Sequence, residues 1–373
     1  MKGYFRKRGE KWSFSVDLGP DPATGKRRQK TVSGFKTKKE AERACAELIA
    51  AIEGGTYSNN PKQNLETYLT EWLQSKAITL KKNTFASYTN IVTHHLIPAF
   101  GKIELTKLTP AHISKFHAEL LNDKGLKEGT VRDIHKVLTT ALNQAVKWGM
   151  LQKNVASLVE KPRPRAKELS VWNEEEAKRF IKTAVKSRSY IAFLLAISTG
   201  MRQGEILGLR WKDVDLVGKT IYVSQTLSHD GKELTAGAKT KSGSRKISID
   251  DTLANELKKQ KSRVSREKMQ TEPGKYTDLD LVVPTSKGTP VTPRNLSRSF
   301  YALMEDAKVP TITFHDMRHT HATLLLSQGI HPKVVAERLG HADMRTTLEI
   351  YSHVLPDIQK DAATKFGAMF YAD

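Results

Sequence analysis

Three features of the sequence predict an α+β fold in several domains. The chain is 373 residues long, enough for two or three separate cores. Its apolar spacing changes from alternation in the first 35 residues or so to intervals of three and four from residue 65 onward. Polar or proline-rich stretches at 56–64 and 161–165 fall at the breaks between these patterns. The expected organisation is a small three-stranded sheet plus a helix over residues 1–58, a helical bundle over 64–160, and a mostly α domain with a small antiparallel sheet over 169–373.

The sheet is read from Trp12, Phe14, Val16 and Leu18, which alternate before a turn at Gly19-Pro20-Asp21-Pro22, with Thr31 and Val32 beyond it. A helix then runs from Thr37 or Lys38 to about Ile52, with Ala41, Ala44, Cys45, Leu48 and Ile52 on one face and Gly54-Gly55 as its stop. Residues 1–39 hold twelve Lys and Arg against three acids, a net of +9. Arg6, Lys7, Arg8, Lys26, Arg27 and Arg28 would lie on the exposed face, and a basic sheet of this kind can enter a major groove.

The whole chain repeats that bias, with 61 Lys and Arg against 40 acids and a formal charge of +21. Such an excess favours a polyanionic partner, of which nucleic acid is the usual one. The single cysteine, Cys45, excludes an internal disulfide and thiolate metal sites and reads as a small core residue in a reducing compartment. No run of about 18 apolar residues occurs, and MKGYFRKRGEKW has no apolar leader core. The expectation is a soluble, cytoplasmic, DNA-associated protein.

Helical periodicity places helices at 65–75, 82–95, 109–121 and 127–148, the last carrying Val131, Ile134, Leu138, Leu142 and Val146. Thr109-Pro110 is a strong start, with threonine as cap and proline in the first turn. Residues 161–165 (KPRPR) are extended and basic, so Lys161, Arg163 and Arg165 suit a linker that follows a DNA backbone, closing a clamp if bundle and C-terminal domain hold opposite faces of a duplex.

In the C-terminal region, Asn173 with Glu176 forms a capping-box pattern, and 190–198 is almost wholly apolar and therefore buried. Residues 219–223 (KTIYV) and 245–249 (RKISI) alternate as strands, with 234–243 a basic turn region between them. Residues 260–280 are charged and read as a mobile surface insertion; 279–283 (LDLVV) reads as a short strand; 295–307 reads as a helix with Phe300, Leu303 and Met304 inward.

Residues 311–353 concentrate the chemistry. They offer His315, Arg318, His341 and Tyr351 within a helix, turn, helix pattern. His315 and Arg318 are one turn apart on one helix face, where they can serve one anionic group. Taken singly, a His-x-x-Arg is usually a solvated helix face and a tyrosine after Leu348 and Ile350 usually half-buried core. His315, His319 and His321 also raise a metal reading, which lacks a thiolate and a water-activating glutamate.

The ordered set HDMRH, LGH and a tyrosine ten residues later resembles the C-terminal signature of the tyrosine recombinase, or phage integrase, family. Upstream, STGMRQGE at 198–205 matches the family's arginine motif, and KTKSGSRKI at 239–247 its hairpin lysine. The resemblance covers residues 65–360, and the N-terminal sheet resembles the arm-type DNA-binding domain of phage-type integrases. It implies a four-helix core-binding domain and a site-specific DNA recombinase that integrates or excises a phage or mobile element.

It also implies six catalytic residues, Arg202, Lys241, His315, Arg318, His341 and the nucleophile Tyr351, with Glu205 orienting Arg202. Lys241 fits the hairpin position better than Lys239, counting back from the strand. In these roles Tyr351 forms a 3′-phosphotyrosyl link, Arg202 and Arg318 fork onto the nonbridging oxygens, His341 adds a donor, Lys241 protonates the 5′ oxygen, and His315 takes the tyrosine proton or holds the same phosphate. No metal or other cofactor is expected, since two arginines supply the charge. The implied partners are double-stranded attachment-site DNA, three further protomers in a homotetramer, and excisionase or DNA-bending accessory factors. The tail, with Phe366, Met369 and Phe370, docks on its own domain or on a neighbour. A type IB topoisomerase uses the same groups, but the basic N-terminal sheet argues against a pure relaxing enzyme. A non-catalytic DNA-binding regulator would not need the complete motif set.

Overall fold

The computed structural model describes residues 2–20, 27–53, 63–164, 170–236, 244–341, 343–345, 347–348 and 358–371, which fall into two units, residues 1–166 and 167–373. Lys26, Arg165, Lys239, Lys241 and Tyr351 lie outside the described residues.

The first unit opens with an antiparallel meander of β1 (Gly3–Arg8), β2 (Lys11–Pro20) and β3 (Arg27–Phe35). Strand alternation turns Phe14 and Val16 inward, where they pack with Ala41 and Cys45 of helix α1 (Lys38–Glu53). The start of α1 is fixed reciprocally: Glu40 N–H donates to Thr37 Oγ1, while the Glu40 carboxylate accepts from the backbone N–H groups of Lys36 and Thr37. Arg6, Lys7 and Arg8 are exposed on β1. Arg27 is exposed but engaged, its guanidinium 2.7 Å from Asp17.

A separate core forms from α2 (Leu65–Ala77), α3 (Lys82–Ile91), α4 (Ile97–Phe100), α5 (Pro110–Ala118) and α6 (Glu128–Lys147). Asn64 and Thr109 cap α2 and α5. Val131, Ile134, Leu138 and Leu142 are buried along one face of α6, and Tyr68 donates its hydroxyl to Ala141 O at 2.6 Å. Of the linker cations, Lys161 is exposed and Arg163 lies 3.4 Å from Glu160.

The second unit begins with α7 (Glu174–Ala184), capped by the reciprocal Asn173–Glu176 pair at 2.9 Å each way. Helix α8 (Tyr190–Thr199) is buried on nearly all sides, so it shows no polar face and serves as the spine of the unit. An aromatic cluster of Trp172, Phe180, Phe193, Phe300 and Phe314 joins it to α7 and to α11 (Pro293–Ala307). After the short α9 (Gln203–Leu207), strands β4 (Val214–Asp215), β5 (Thr220–Val223) and β8 (Arg245–Ser248) form one antiparallel sheet; β6 (Gln225–Leu227) and β7 (Leu234–Ala236) form a hairpin. The start of the expected turn region at 234–243 is thus a strand.

Two further expectations fail. Residues 251–270 are a long helix, α10 (Asp251–Gln270), not an insertion, because Leu253, Ala254, Leu257, Gln260 and Val264 recur at helical spacing and are buried. Its charges occupy the outer face, where Arg188 reaches Glu267 with two hydrogen bonds of 2.6 and 2.7 Å. Residues 279–283 are not a strand; Leu281, Val282 and Val283 are buried with a single bridge between Leu281 and Arg210. Helices α12 (Asp316–Ser327) and α13 (Pro332–Leu339) complete the core, and α14 (Ile358–Tyr371) carries Phe366, Met369 and Phe370 exposed on its surface. No described helix is long and apolar enough to cross a membrane.

Candidate active site

The site is organised around one buried carboxylate. Glu205, 4% exposed on α9, accepts from Arg202 Nη1 at 2.8 Å and from the Arg202 backbone N–H at 3.0 Å. Across the sheet, Arg245 donates to both of its oxygens, at 3.2 and 2.9 Å, and gives its Nε–H to Arg338 O at 2.7 Å. Burial opposes ionisation of Glu205, but the hydrogen bonds and charge of Arg245, then those of Arg202, outweigh it and hold the carboxyl below its ordinary range. The Arg202 side chain remains 42% exposed, so part of its fork faces outward.

Glycine makes this approach possible. Gly200 ends α8 in the left-handed region at φ 65°, and a Cβ there would stand 2.4 Å from Leu339 Cδ2 and 2.7 Å from His321 Cδ2. A Cβ on Gly204 would stand 2.6 Å from Leu227 O.

Arg318, on α12 and 3% exposed, donates to Gly200 O at 2.8 Å and to Leu339 O at 2.7 Å. These bonds tie the ends of α8 and α13 to one guanidinium and leave three of its five N–H groups without a partner among the described residues. Burial, then the charges of Arg202 and Arg245, push its pKa down to about 9, so it stays cationic at neutral pH. His315 sits just before α12, where Thr313 and Asp316 exchange hydrogen bonds that shape the turn. Partial burial, then His319, Arg318 and Arg202, lower its pKa, so the ring is neutral at pH 7.

Gly340 ends α13 at φ 70° and holds His341 on the turn beyond it. His341 Nδ1 lies 2.8 Å from the Thr347 hydroxyl, and Nε2 has no protein partner among the described residues. Burial, then Arg318 and Arg202, lower its pKa to about 4. Three guanidinium groups, one carboxylate and neutral imidazoles leave the site positively charged, the condition for holding a phosphodiester.

Arg202, Glu205, Arg318, His315 and His341 are therefore brought into mutual electrostatic range. His321 is different: Nδ1 lies 2.8 Å from Ile197 O, and Nε2 accepts from Arg338 Nε at 3.2 Å. With both nitrogens committed, it cannot join His315 and His319 around a metal. Arg338 also donates to Ser248 O and Ser198 O, both at 2.9 Å, and so locks α13 to β8 and α8.

Sequence reasoning missed Arg245, Arg338 and Thr347. Arg245 was detectable: it shares the strand phase of Ile247 and Ile249, which marks a charge pointing into a core. Arg338 and Thr347 carry no such signal, since their partners are set by tertiary packing.

Residues 171–357 match the model of the phage integrase family. The chain belongs to the phage integrase family. Residues 4–52 match an arm DNA-binding domain and 64–121 the N-terminal SAM-like domain of phage integrases. The ICEBs1 integrase of Bacillus subtilis is 30% identical over 365 residues, covering 96% of this chain and 98% of that protein. A tyrosine recombinase XerC-like protein of Caldanaerobacter subterraneus is 29% identical over 389 residues, covering 98% of each. In fold, the chain resembles the Tn1549 transposon integrase in complex with transposon right end DNA, with a TM-score of 0.69 at 21% identity over 82% of this chain and 100% of that one. It also resembles a lambda integrase tetramer bound to a Holliday junction, with a TM-score of 0.60 at 18% identity over 93% of this chain and 94% of that one. As a phage integrase, the protein is a tyrosine-type site-specific DNA recombinase of the kind mobile elements carry.

Proposed function

We propose that this integrase cuts and rejoins attachment-site DNA with Tyr351 as nucleophile, through a 3′-phosphotyrosyl intermediate. The observation that carries the reading is the positive cluster around Glu205, in which Arg202 is half-exposed while Glu205 and Arg245 fix it from behind. Arg202 and Arg318 bind the nonbridging oxygens of the scissile phosphate, where charge builds as the tyrosine oxygen adds. His341 contributes a further donor. His315, neutral at pH 7 because burial and neighbouring cations disfavour its charged form, takes the phenolic proton or holds the same phosphate. Lys241 protonates the departing 5′ oxygen.

Residues 1–58 act as an arm-type DNA-binding domain, with Arg6, Lys7, Arg8, Lys26 and Arg28 toward phosphates. Arg27 must first give up Asp17. Residues 64–160 bind the core site, Lys161, Arg163 and Arg165 follow the backbone between them and the next domain, and 169–373 carry the chemistry. Strand exchange uses four protomers, as in the lambda integrase tetramer on a Holliday junction. The exposed apolar face of α14 supports a docking role, on its own protomer or on a neighbour. Excisionase or DNA-bending factors complete the set of partners.

The test incubates the protein with two attachment-site duplexes and a supercoiled plasmid in excess chelator. Joined hybrid products are the expected result. Plasmid relaxation without joining would establish a topoisomerase, and binding alone would establish a regulator.

A further inference from the structure

We infer that Thr347 is a positioning residue that holds His341 in the tautomer with its proton on Nε2, so that the ring presents an N–H to the scissile phosphate. The inference rests on the reading of His341 as a phosphate donor.

A neutral imidazole carries one N–H, and which nitrogen bears it is set by the partner of the other. Thr347 is fully buried, and its Oγ1 lies 2.8 Å from His341 Nδ1. The polarity of that contact follows from satisfying every buried polar group. If Nδ1–H donated to the hydroxyl, the threonine proton would need an acceptor of its own, and among the described residues the hydroxyl meets only His341. If the hydroxyl donates to Nδ1, both groups are satisfied and the ring proton is confined to Nε2.

Burial and the cations Arg318, Arg202 and Arg245 disfavour the doubly protonated ring, so the imidazolium offers no alternative route to a donor on Nε2 at neutral pH. His319 also faces this ring; it is itself partly buried, and burial and Arg318 disfavour its charged form while Asp316 favours it. Backbone geometry supports the contact from both sides: Gly340 fixes the turn before His341, and Thr347 N–H donates to Met344 O at 3.0 Å. Thr347 lies four residues before Tyr351 in the sequence.

The test compares single-turnover covalent cleavage of a core-site duplex in the full-length protein carrying Thr347→Val, Thr347→Ser, His341→Phe, and Thr347→Val with His341→Phe. Valine keeps the shape and removes the hydroxyl; it should slow cleavage about 10- to 100-fold, the scale on which the loss of a ligand-orienting partner is felt, with duplex affinity unchanged. Serine should restore the rate to within about threefold, and the double variant should be no slower than His341→Phe alone. In protein labelled with 15N-histidine, the His341 ring shifts should report Nε2 protonation in the wild type and in Thr347→Ser, and a tautomer mixture in Thr347→Val. A Thr347→Val enzyme that cleaves normally while His341→Phe does not would overturn the inference alone. So would losses that add in the double variant, or ring shifts that valine does not move. Normal cleavage by His341→Phe would overturn the reading of His341 as a donor and this inference with it.

Discussion

Replacing Glu205 by Gln removes the one negative charge between Arg202 and Arg245 while keeping the side chain's size. Glu205 and Arg245 are both almost wholly buried, and two of the three guanidinium bonds to the carboxylate come from Arg245. Leaving that arginine buried without its counter-charge should cost about 3–5 kcal/mol. The half-exposed Arg202 bond adds about 1 kcal/mol or less. For a unit of this size each kcal/mol lowers Tm by about 2–4 °C, so a fall of roughly 6–24 °C is expected. The assay is thermal and urea unfolding of the full chain at pH 7, read by amide exchange in α8 and β8. Because the folded carboxyl is held below its ordinary range, the stabilisation is fully present above the unfolded pKa of about 4.3 and is lost as pH falls through the folded value. Wild type and variant should therefore converge only in acid below about pH 4. Adding Arg245→Met should recover more than half of the loss, since the stranded charge goes with it. A loss below about 1 kcal/mol, or a double variant weaker than the two losses combined, would refute the account of the site as built on a buried carboxylate.

Other substitutions probe separate parts of the account. Arg202→Lys and Arg318→Lys keep the charge and lose the fork, and each should slow cleavage by about 100-fold or more; near-normal rates in both, measured with a nicked core-site duplex, would make the arginines structural. His321 is buried with its pKa lowered to about 4, burial being the main cause, so the unfolded chain binds a proton between about pH 6.5 and 4 that the folded chain does not. Stability should fall across that window as pH is lowered, by up to about 3 kcal/mol from this group, and His321→Gln should flatten the fall; an unchanged slope in urea titrations would contradict the assignment. A protein truncated to begin at Asn64 should still form the covalent adduct on a short core-site duplex, but join long attachment DNA poorly and bind with a shallower salt dependence. Full joining with an unchanged salt slope would deny the N-terminal sheet its arm-site role.

How far the sequence disclosed this molecule depends on whether a feature is local. The starts of α5 and α7 were legible because Thr109, and Asn173 with Glu176, act within one turn, whereas Asn64, read only as the end of a polar linker, also caps α2. The spacing of His315, Arg318 and His341 was legible because it belongs to a pattern written in the chain. Helix α10 was misread because charge dominates its composition, and the five buried positions that decide its state are thinly spread. Leu281, Val282 and Val283 misled in the opposite way: an apolar run specifies burial, not a ladder of hydrogen bonds. Arg245 and Glu205 are forty residues apart, and only the pairing of β5 with β8 and the packing of α9 bring them together. Arg338 buttresses three elements at once, a role that no spacing encodes.

The central claim is that Tyr351 is the group that becomes joined to DNA, at a phosphate held by Arg202 and Arg318. Its most direct measurement uses a core-site duplex nicked to trap the covalent species, followed by proteolysis and mass spectrometry of the DNA-linked peptide, for the wild type and for Tyr351→Phe. The account predicts a denaturation-resistant adduct through the Tyr351 oxygen at a 3′ phosphate in the wild type, and none in a variant that binds the duplex with undiminished affinity. An adduct that persists in Tyr351→Phe, or that maps to another residue, would contradict it.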